Sequence, residues 1–207
     1  MRTLLSAVSP GTEMLIYRGQ APPRFAVDDT IPSLAGTFQY PLQYGYSVVG
    51  RVVSLGSSVD PSWEGRLVFS FNPHQSAFNA RPADLLKLPE QVSIEQAVFL
   101  PNLETAVGFM MDGQPGIGER VAVFGQGIVG LLTAHLLAQY PLDKLITIEP
   151  NKSRRSFSRQ INKNLVCLDP DHPQFRDELE TRLRGGADLT FEISGAPQAL
   201  DAAIEAT

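Results

Sequence analysis

The stretch that decides the fold of this 207-residue chain is VFGQGIVG, residues 123–130. Its three glycines, Gly125, Gly127 and Gly130, form the pattern GxGxxG. The pattern follows the apolar run Val121–Phe124, and its second half overlaps the start of a segment with apolar residues at regular spacing, residues 128–139. A short apolar run bounded by glycine indicates a buried strand, and apolar residues at helical spacing in the second segment indicate a helix. The glycines therefore predict a tight turn that leads from a strand into a helix.

Each glycine of this loop is predicted to have its own task. Gly125 permits the tight turn, Gly127 lets a pyrophosphate approach the backbone, and Gly130 lets the helix pack close to the strand. The free N–H groups and the partial positive charge of the helix start favour phosphate. The predicted phosphate site comprises Gly125, Gln126, Gly127, Ile128, Val129 and Gly130. The alternative is a glycine-rich turn that binds nothing.

An acidic residue ends the second predicted strand, residues 145–148. This residue is Glu149, about 20 residues beyond the glycines, where a carboxylate receives the ribose hydroxyls of a dinucleotide. Such a charged hydrogen bond is worth about 1.5–3 kcal/mol, and the same charge repels a 2′-phosphate. NAD is therefore favoured over NADP, although Arg154 or Arg155 could reach a phosphate.

Strand-like and helix-like segments continue to alternate towards residue 207. Further strands are expected at residues 165–168 and 187–193, and helices at residues 153–161, 175–183 and 197–206. Buried strands that alternate with helices predict a parallel, right-handed β-α-β sheet. Ser194 and Gly195 follow the last strand, so we expect them near the nicotinamide end of the ligand crevice. Ser194 could instead cap the next helix.

The first half of the chain has a different character. Residues 1–90 hold most of the prolines, with strands expected at residues 51–56 and 65–71 and a turn at residues 57–61. This half predicts a small, irregular β barrel or sandwich with long loops. A helix is expected at residues 93–111, with a weak capping box of Ser93 and Gln96, a break or kink at Pro101, and a loop from Asp112. We expect one domain at residues 1–100 and another at residues 101–207.

Composition excludes several classes of function. The net charge is −5 and the pI about 5.2, which gives no electrostatic footprint for nucleic acid. No apolar run approaches the roughly 20 residues that span a bilayer, and the first ten residues do not resemble a signal peptide. Cys167 is the only cysteine, so an intrachain disulfide and a cysteine-rich zinc module are both excluded. A cytoplasmic location is consistent with these features.

Residues 45–53, with Gly56, Val59 and residues 65–69, resemble the barrel segment of medium-chain alcohol dehydrogenases. Residues 9–13 and 17–19 resemble a divergent form of that family's first zinc-ligand loop, and residues 118–155 and 187–197 resemble its coenzyme domain. The resemblance implies a partial GroES-like catalytic domain joined to a partial Rossmann domain, with the active site in the cleft between them. It also implies that the chain lacks family segments at both ends, and that a homodimer or homotetramer is possible.

The resemblance places the zinc-ligand positions of the family at residues that do not bind zinc. They fall at Ser9 or Pro10, at Tyr46 with Ser47, and near Leu100. No thiolate or imidazole stands there, so we expect no catalytic zinc. Hydrogen-bond donors would then stabilise the developing alkoxide.

The candidate catalytic residues are Thr12, which matches the family's proton-relay hydroxyl, Tyr46 and His74. Tyr46 could instead be a packed aromatic, and His74 an exposed loop histidine. Glu13 and Glu104 match or neighbour polar positions that line the family's cleft, and each could instead be a surface carboxylate or a helix partner, which is the more common fate of such residues.

Two functions follow from this sequence. The first is a zinc-independent, NAD(P)-dependent oxidoreductase that transfers hydride between nicotinamide and a small alcohol or carbonyl substrate. The alternative is a non-catalytic nucleotide-binding module, or an inactive fragment of a dehydrogenase.

Overall fold

The computed structural model describes residues 1–28, 30–161 and 165–207. The chain divides into two compact units, Met1–Pro101 and Asn102–Thr207. Each unit has its own four-stranded sheet. Within the described ranges, no helix is long and apolar enough to cross a membrane.

The sheet of the first unit is antiparallel, in the order β1-β2-β3-β4. Its strands are β1 (Arg2–Ser6), β2 (Val48–Arg51), β3 (Leu67–Ser70) and β4 (Leu86–Lys87), and its helices include α1 (Thr12–Tyr17) and α2 (Ile94–Ala97). Val49 and Phe69 are fully buried and pack with Ala97 and Val98 of the α2 region. The predicted irregular β architecture is therefore confirmed.

The strand expected at residues 51–56 is wrong, because the strand lies earlier, at Val48–Arg51. Gly50 lies inside this strand and pairs with Thr3 of β1 and Val68 of β3. A Cβ at this position would stand 2.5 Å from the carbonyl oxygen of Arg2, so a glycine is needed inside the strand. The strand expected at residues 65–71 is confirmed at Leu67–Ser70.

The helical stretch expected at residues 93–111, with a break or kink at Pro101, is interrupted as predicted, but the break lies just before Leu100 and separates α2 from α3 (Leu100–Gly113). Pro101 lies in the first turn of α3, where its missing N–H has no helical partner to lose, so it starts a helix rather than kinking one. The predicted capping box of Ser93 and Gln96 is present in both directions. The loop expected from Asp112 begins after Gly113, because the helix continues to that residue.

The second unit is a parallel sheet in the order β7-β6-β5-β8. Its strands are β5 (Arg120–Phe124), β6 (Lys144–Ile148), β7 (Val166–Leu168) and β8 (Leu189–Glu192). Its helices, besides α3, are α4 (Ile128–Leu137), α5 (Lys152–Ile161), α6 (Phe175–Leu183) and α7 (Pro197–Glu205). The predicted alternation of parallel strands and helices is therefore confirmed.

Strand β5 is buried on both faces, which explains its continuous apolar sequence. Val121 and Val123 pack into one cluster with Leu137, and Ala122 and Phe124 pack into another with α6 and α7. Phe124 is in register with Ile148 of β6 and with Glu192 of β8. The loops after these three strands therefore leave the same edge of the sheet side by side, where ligands bind in folds of this kind.

Candidate functional site

Two glycines of the loop between β5 and α4 are required by the fold itself. Gly125 has a φ of +92°, and a Cβ there would lie 2.8 Å from the backbone nitrogen of Ser194. A Cβ on Gly130 would overlap the carbonyl oxygen of Gly125. Gly130 therefore allows α4 to pack against the turn, and Gly125 allows the turn to pack against the segment after β8.

Gly127 is different, because neither its backbone nor its packing demands a glycine. It is the N-cap of α4, with φ −68° and ψ −171°, a conformation open to any residue. A Cβ at this position would meet no atom within 4 Å. The space beside this helix start is therefore open, as a phosphate held by N-terminal N–H groups would require.

The side chain of Gln126 is completely buried beneath the loop. Its Nε2 donates to the carbonyl of Gly125 at 2.8 Å, and its Oε1 accepts from the Ser158 hydroxyl at 2.9 Å. Ser158 is in turn 3.0 Å from the Thr147 hydroxyl. This buried chain ties the glycine loop to α5 and β6. Sequence reasoning treated Gln126 only as loop backbone and missed Ser158.

Glu149 lies at the same edge of the sheet and is 3% exposed. Its Oε2 accepts the N–H of Gln126 at 2.8 Å, and its Oε1 accepts the N–H of Asn151 at 2.9 Å. The carboxylate therefore joins the glycine loop to the turn after β6. Each oxygen keeps further accepting capacity, because a carboxylate offers about four lone-pair sites.

The two arginines beside Glu149 are not equivalent. Arg155 donates to the carbonyl of Glu149 at 2.8 Å and pairs with Asp169 at 2.7 Å, and its side chain is only 14% exposed. Arg154 stands 3.9 Å from Glu149 Oε2, and its side chain is 51% exposed. Arg155 is already bound to the carbonyl of Glu149 and to Asp169. Of the two arginines, Arg154 is therefore the one that remains available to a phosphate.

The turn after β8 is organised by a carboxylate that sequence reasoning missed. Glu192 Oε1 accepts the N–H groups of Ser194 at 2.7 Å and of Gly195 at 3.2 Å, and the Ser194 hydroxyl at 2.5 Å. The alternative of Ser194 as the helix cap is wrong, because Pro197 begins α7 and makes Ala196 the N-cap. An acidic residue at the carboxyl end of a strand, as at Glu149, was the available signal.

A second group of polar side chains lies in the first unit. His74 Nε2 is 2.6 Å from Glu13 Oε2, and His74 Nδ1 contacts the hydroxyl of Ser6. The Glu13 side chain is 9% exposed and that of His74 is 30% exposed. The alternative of an exposed loop histidine is therefore wrong, because the side chain is partly buried and both ring nitrogens have partners. Sequence reasoning missed Ser6, which carries no motif.

Tyr46 and Thr12 lie in segments adjacent to this group. Tyr46 is half-buried and packs edge-on against Tyr44, with ring centroids 6.1 Å apart. Burial, followed by the charges of Tyr46 and Glu13, raises the pKa of Tyr44 to about 12. The Tyr44 hydroxyl is therefore a donor at any ordinary pH. Thr12 is exposed at the first position of α1, directly before Glu13.

Comparison with known proteins finds sequence relatives among dehydrogenases of small alcohols and sugars. No protein-family model matches the chain. The chain is 26% identical over 195 residues to (R,R)-butanediol dehydrogenase of Bacillus subtilis, covering 81% of this chain and 56% of that protein. Other curated relatives include yeast sorbitol dehydrogenases and Aspergillus D-xylulose reductases. The chain thus spans little more than half the length of its first curated relatives, 56% and 57%.

Solved structures share the whole fold. A zinc-binding dehydrogenase of Sinorhizobium meliloti, assigned by similarity and bound to NADP, matches with a TM-score of 0.76 at 15% identity, over 100% of this chain and 65% of that one. A short chain alcohol dehydrogenase from E. coli CFT073 with NADH matches with a TM-score of 0.72 at 16% identity, over 100% and 65%. The sequence relatives and the shared fold support the resemblance to medium-chain alcohol dehydrogenases. The predicted fold class, a partial Rossmann unit with a partial GroES-like unit, is confirmed.

The metal-ligand positions that the resemblance assigns in this chain do not fit zinc. Ser9 uses its N–H to donate to Glu13 Oε1 at 2.7 Å, and the buried Ser47 hydroxyl donates to the carbonyl of Val98. Neither serine, nor Tyr46, is a ligand that zinc takes in proteins. In the part of the chain that the structure describes, three or more His, Cys, Asp or Glu side chains are nowhere grouped as metal ligands. Glu13 and His74 contact each other, but a catalytic zinc needs three protein ligands.

Proposed function

We propose that the protein carrying this chain is an NAD(P)-dependent oxidoreductase that interconverts a small alcohol and its carbonyl compound without zinc. The observation that carries the proposal is the open space at Gly127. Gly127 stands at the start of α4, where neither the backbone conformation nor the packing requires a glycine. The other two glycines of the loop, Gly125 and Gly130, are required by the fold itself. A ligand phosphate is the simplest occupant of that space.

Residues from three neighbouring loops would hold the coenzyme. Gly125 to Gly130 would hold the pyrophosphate, Glu149 the adenosine ribose, and Ser194 with Gly195 the nicotinamide end. A bound nicotinamide supplies the hydride chemistry, which no protein side chain provides. We favour NAD because the Glu149 carboxylate is fixed beside the loop by two backbone N–H groups. One of the similar solved structures holds NADP and another holds NADH, so the preference for NAD rests on Glu149 and not on the similarity to these structures.

The substrate would meet polar groups of the first unit. Thr12, Tyr46 and His74 are the proposed catalytic residues, because hydrogen-bond donors must stabilise the charge on the substrate oxygen in the absence of a metal. The relatives are named for butanediol, sorbitol and xylulose, which supports a small hydroxylated substrate.

Turnover separates the enzyme from the alternative, a nucleotide-binding module. The protein with its whole natural chain is titrated with NADH and then assayed against small aldehydes, ketones and polyols. The proposal expects saturable binding and oxidation of NADH by at least one carbonyl compound, with metal analysis finding less than stoichiometric zinc. Binding without turnover supports the binding module, and one tightly bound zinc per chain contradicts the metal-free mechanism.

Replacing Glu149 with glutamine should shift the coenzyme preference towards NADP. The amide keeps the size of the side chain but loses the charge that repels a 2′-phosphate. We expect the ratio of the NADP and NAD dissociation constants to fall about tenfold, equal to roughly 1.4 kcal/mol. Calorimetric titration with both coenzymes measures this ratio.

The matched control is Glu178→Gln, a carboxylate on α6 whose partner is Arg182. It should leave the ratio unchanged. Adding Arg154→Ala to the Glu149→Gln variant should weaken NADP alone, since Arg154 is the half-exposed cation beside the site. An unchanged ratio in Glu149→Gln would contradict the assignment of the ribose site.

A further inference from the structure

One peptide group of the glycine loop, the one between Gly125 and Gln126, is held at both of its ends. Its N–H donates to Glu149 Oε2 at 2.8 Å. Its carbonyl accepts a hydrogen bond from Nε2 of the Gln126 side chain, also at 2.8 Å. Both partners are buried. A peptide group that is bound in this way cannot turn without losing two hydrogen bonds.

The orientation of the Gln126 amide follows from its two partners. If the amide were turned over, its Oε1 would face the carbonyl oxygen of Gly125, and two acceptors do not form a hydrogen bond. Nε2 therefore faces Gly125, and Oε1 faces the Ser158 hydroxyl at 2.9 Å. Because an amide oxygen only accepts, the single proton of the Ser158 hydroxyl points to Gln126.

The second contact of Ser158 completes a directed chain of hydrogen bonds. The Thr147 hydroxyl lies 3.0 Å from the Ser158 hydroxyl, and it is the donor because the Ser158 proton points to Gln126. The protons thus point from Thr147 to Ser158 and from there to Gln126, whose amide donates to the loop carbonyl. All three side chains are fully buried, and hydrogen bonds in a low-dielectric interior polarise one another. The chain therefore strengthens the hold on the Gly125 carbonyl.

The direction of this peptide group matters for a phosphate beside the loop. Its N–H is engaged by Glu149, so the N–H groups open to a phosphate are those that follow, from Gly127 into the first turn of α4. Its carbonyl is the negative end of the peptide dipole and would repel a phosphate. The Gln126 amide and the close packing of Gly130 keep this oxygen on the buried side of the loop.

We infer that Gln126 and Ser158 are positioning residues for the pyrophosphate of the coenzyme. Gln126 keeps the carbonyl of Gly125 away from the phosphate, and Ser158 holds the Gln126 amide in the orientation that does so. This inference rests on the proposed function, because it needs a coenzyme at the glycine loop. It gives a task to the side chain of Gln126, which the pattern GxGxxG leaves unspecified.

The first test removes the amide from the protein with its whole natural chain. Gln126→Met keeps the length of the side chain and loses its hydrogen bonds. The dissociation constants of NADH and of ADP-ribose should each rise about tenfold, near the upper end for one neutral hydrogen bond. ADP-ribose lacks the nicotinamide, so equal losses place the effect in the part that the two ligands share. The ratio of the NADP and NAD dissociation constants should not change. Wild-type affinity in Gln126→Met would overturn the inference.

Ser158→Ala tests the second link, and because it removes a single oxygen it carries the test even if Gln126→Met does not fold. The Thr147 hydroxyl keeps an acceptor, the carbonyl of Val166 at 3.4 Å, so the change strands Gln126 Oε1. NADH binding should weaken several-fold. The double variant should bind NADH no more weakly than Gln126→Met, because Ser158 acts only through Gln126. A double loss equal to the product of the two single losses would contradict this order of action.

Two controls separate positioning from general stability. Thr133→Val removes another buried hydroxyl of the second unit, one without a hydrogen-bond partner among the described residues. Ile146→Val removes a methyl group from the core directly beside Thr147 and should lower stability. Both variants should bind NADH as the wild type does. A loss of affinity in Ile146→Val equal to that in Gln126→Met would show that Gln126 acts through stability alone.

The second test needs neither coenzyme nor activity. In ¹H–¹⁵N spectra of glutamine-labelled protein, the backbone N–H of Gln126 is the signal that disappears in Gln126→Met. Its proton should lie downfield, because it is bound to the carboxylate of Glu149. Ser158→Ala should move this signal and speed its hydrogen exchange, while Thr133→Val leaves both unchanged. An unchanged signal and exchange rate in Ser158→Ala would show that Ser158 does not hold the peptide group.

These experiments separate the inference from the proposed function. Binding of NADH without turnover of any carbonyl compound defeats the proposed function, and the affinities still decide the role of Gln126. A folded wild-type protein that takes up neither NADH nor ADP-ribose defeats both. Turnover together with normal affinity in Gln126→Met leaves the oxidoreductase intact and removes Gln126 and Ser158 from its coenzyme site.

Discussion

Replacing Gly127 with valine should abolish coenzyme binding while the protein stays folded. The valine side chain would enter the open space beside the start of α4, which is the space assigned to the pyrophosphate. We expect the NADH dissociation constant to rise more than about 100-fold, equal to roughly 2.7 kcal/mol. The unfolding free energy should fall by no more than about 1 kcal/mol, the cost of a poorer N-cap residue.

Calorimetric titration with NADH and thermal unfolding measure the two effects on the same samples. Gly127→Ala should give an intermediate loss of affinity. The matched control is Gly108→Val, because Gly108 also lies in the second unit and a Cβ there meets no atom within 4 Å. This control should bind NADH as the wild type does. Wild-type affinity in Gly127→Val would show that the phosphate lies elsewhere.

Replacing Gly130 with alanine should have the largest effect on stability. The new methyl group would overlap the carbonyl oxygen of Gly125, which is backbone and cannot turn away. Either α4 must move off the turn or the turn must open, and overpacking of this kind costs about 3 kcal/mol or more. We expect an unfolding free energy lower by that amount, or a chain that does not fold.

Urea unfolding followed by circular dichroism measures this loss. Gly108→Ala is the control, since an alanine within a helix and in open space should raise stability by up to about 1 kcal/mol. The pair thus predicts opposite signs for the same chemical change in α3 and α4. A loss below about 0.5 kcal/mol in Gly130→Ala would mean that the close contact does not hold the loop and the helix together.

The second unit could be predicted from sequence because its signals are local. The apolar run of β5, the glycines and the helical spacing of residues 128–137 lie next to one another in the chain, and the structure follows them closely.

Gly50 shows where prediction from the neighbouring sequence fails. The backbone that a side chain at Gly50 would strike, the carbonyl of Arg2, lies 48 positions away along the chain, so the sequence around Gly50 does not reveal the contact that requires a glycine.

The side-chain networks of the candidate site could not be predicted for the same reason. The hydrogen bond between Gln126 and Ser158 joins residues 32 positions apart, and the contact of Ser6 with His74 joins residues 68 positions apart. Neither pair forms a motif. Glu149 was expected from its place after a strand, but its bonds to two backbone N–H groups depend on how two loops meet.

The measurement that tests the central claim most directly is a titration of the protein, with its whole natural chain, against NADH and NAD. We expect saturable uptake at one site per chain, competition between the two coenzymes, and loss of uptake in Gly127→Val but not in Gly108→Val. A folded protein that takes up neither coenzyme at any concentration tested would contradict it.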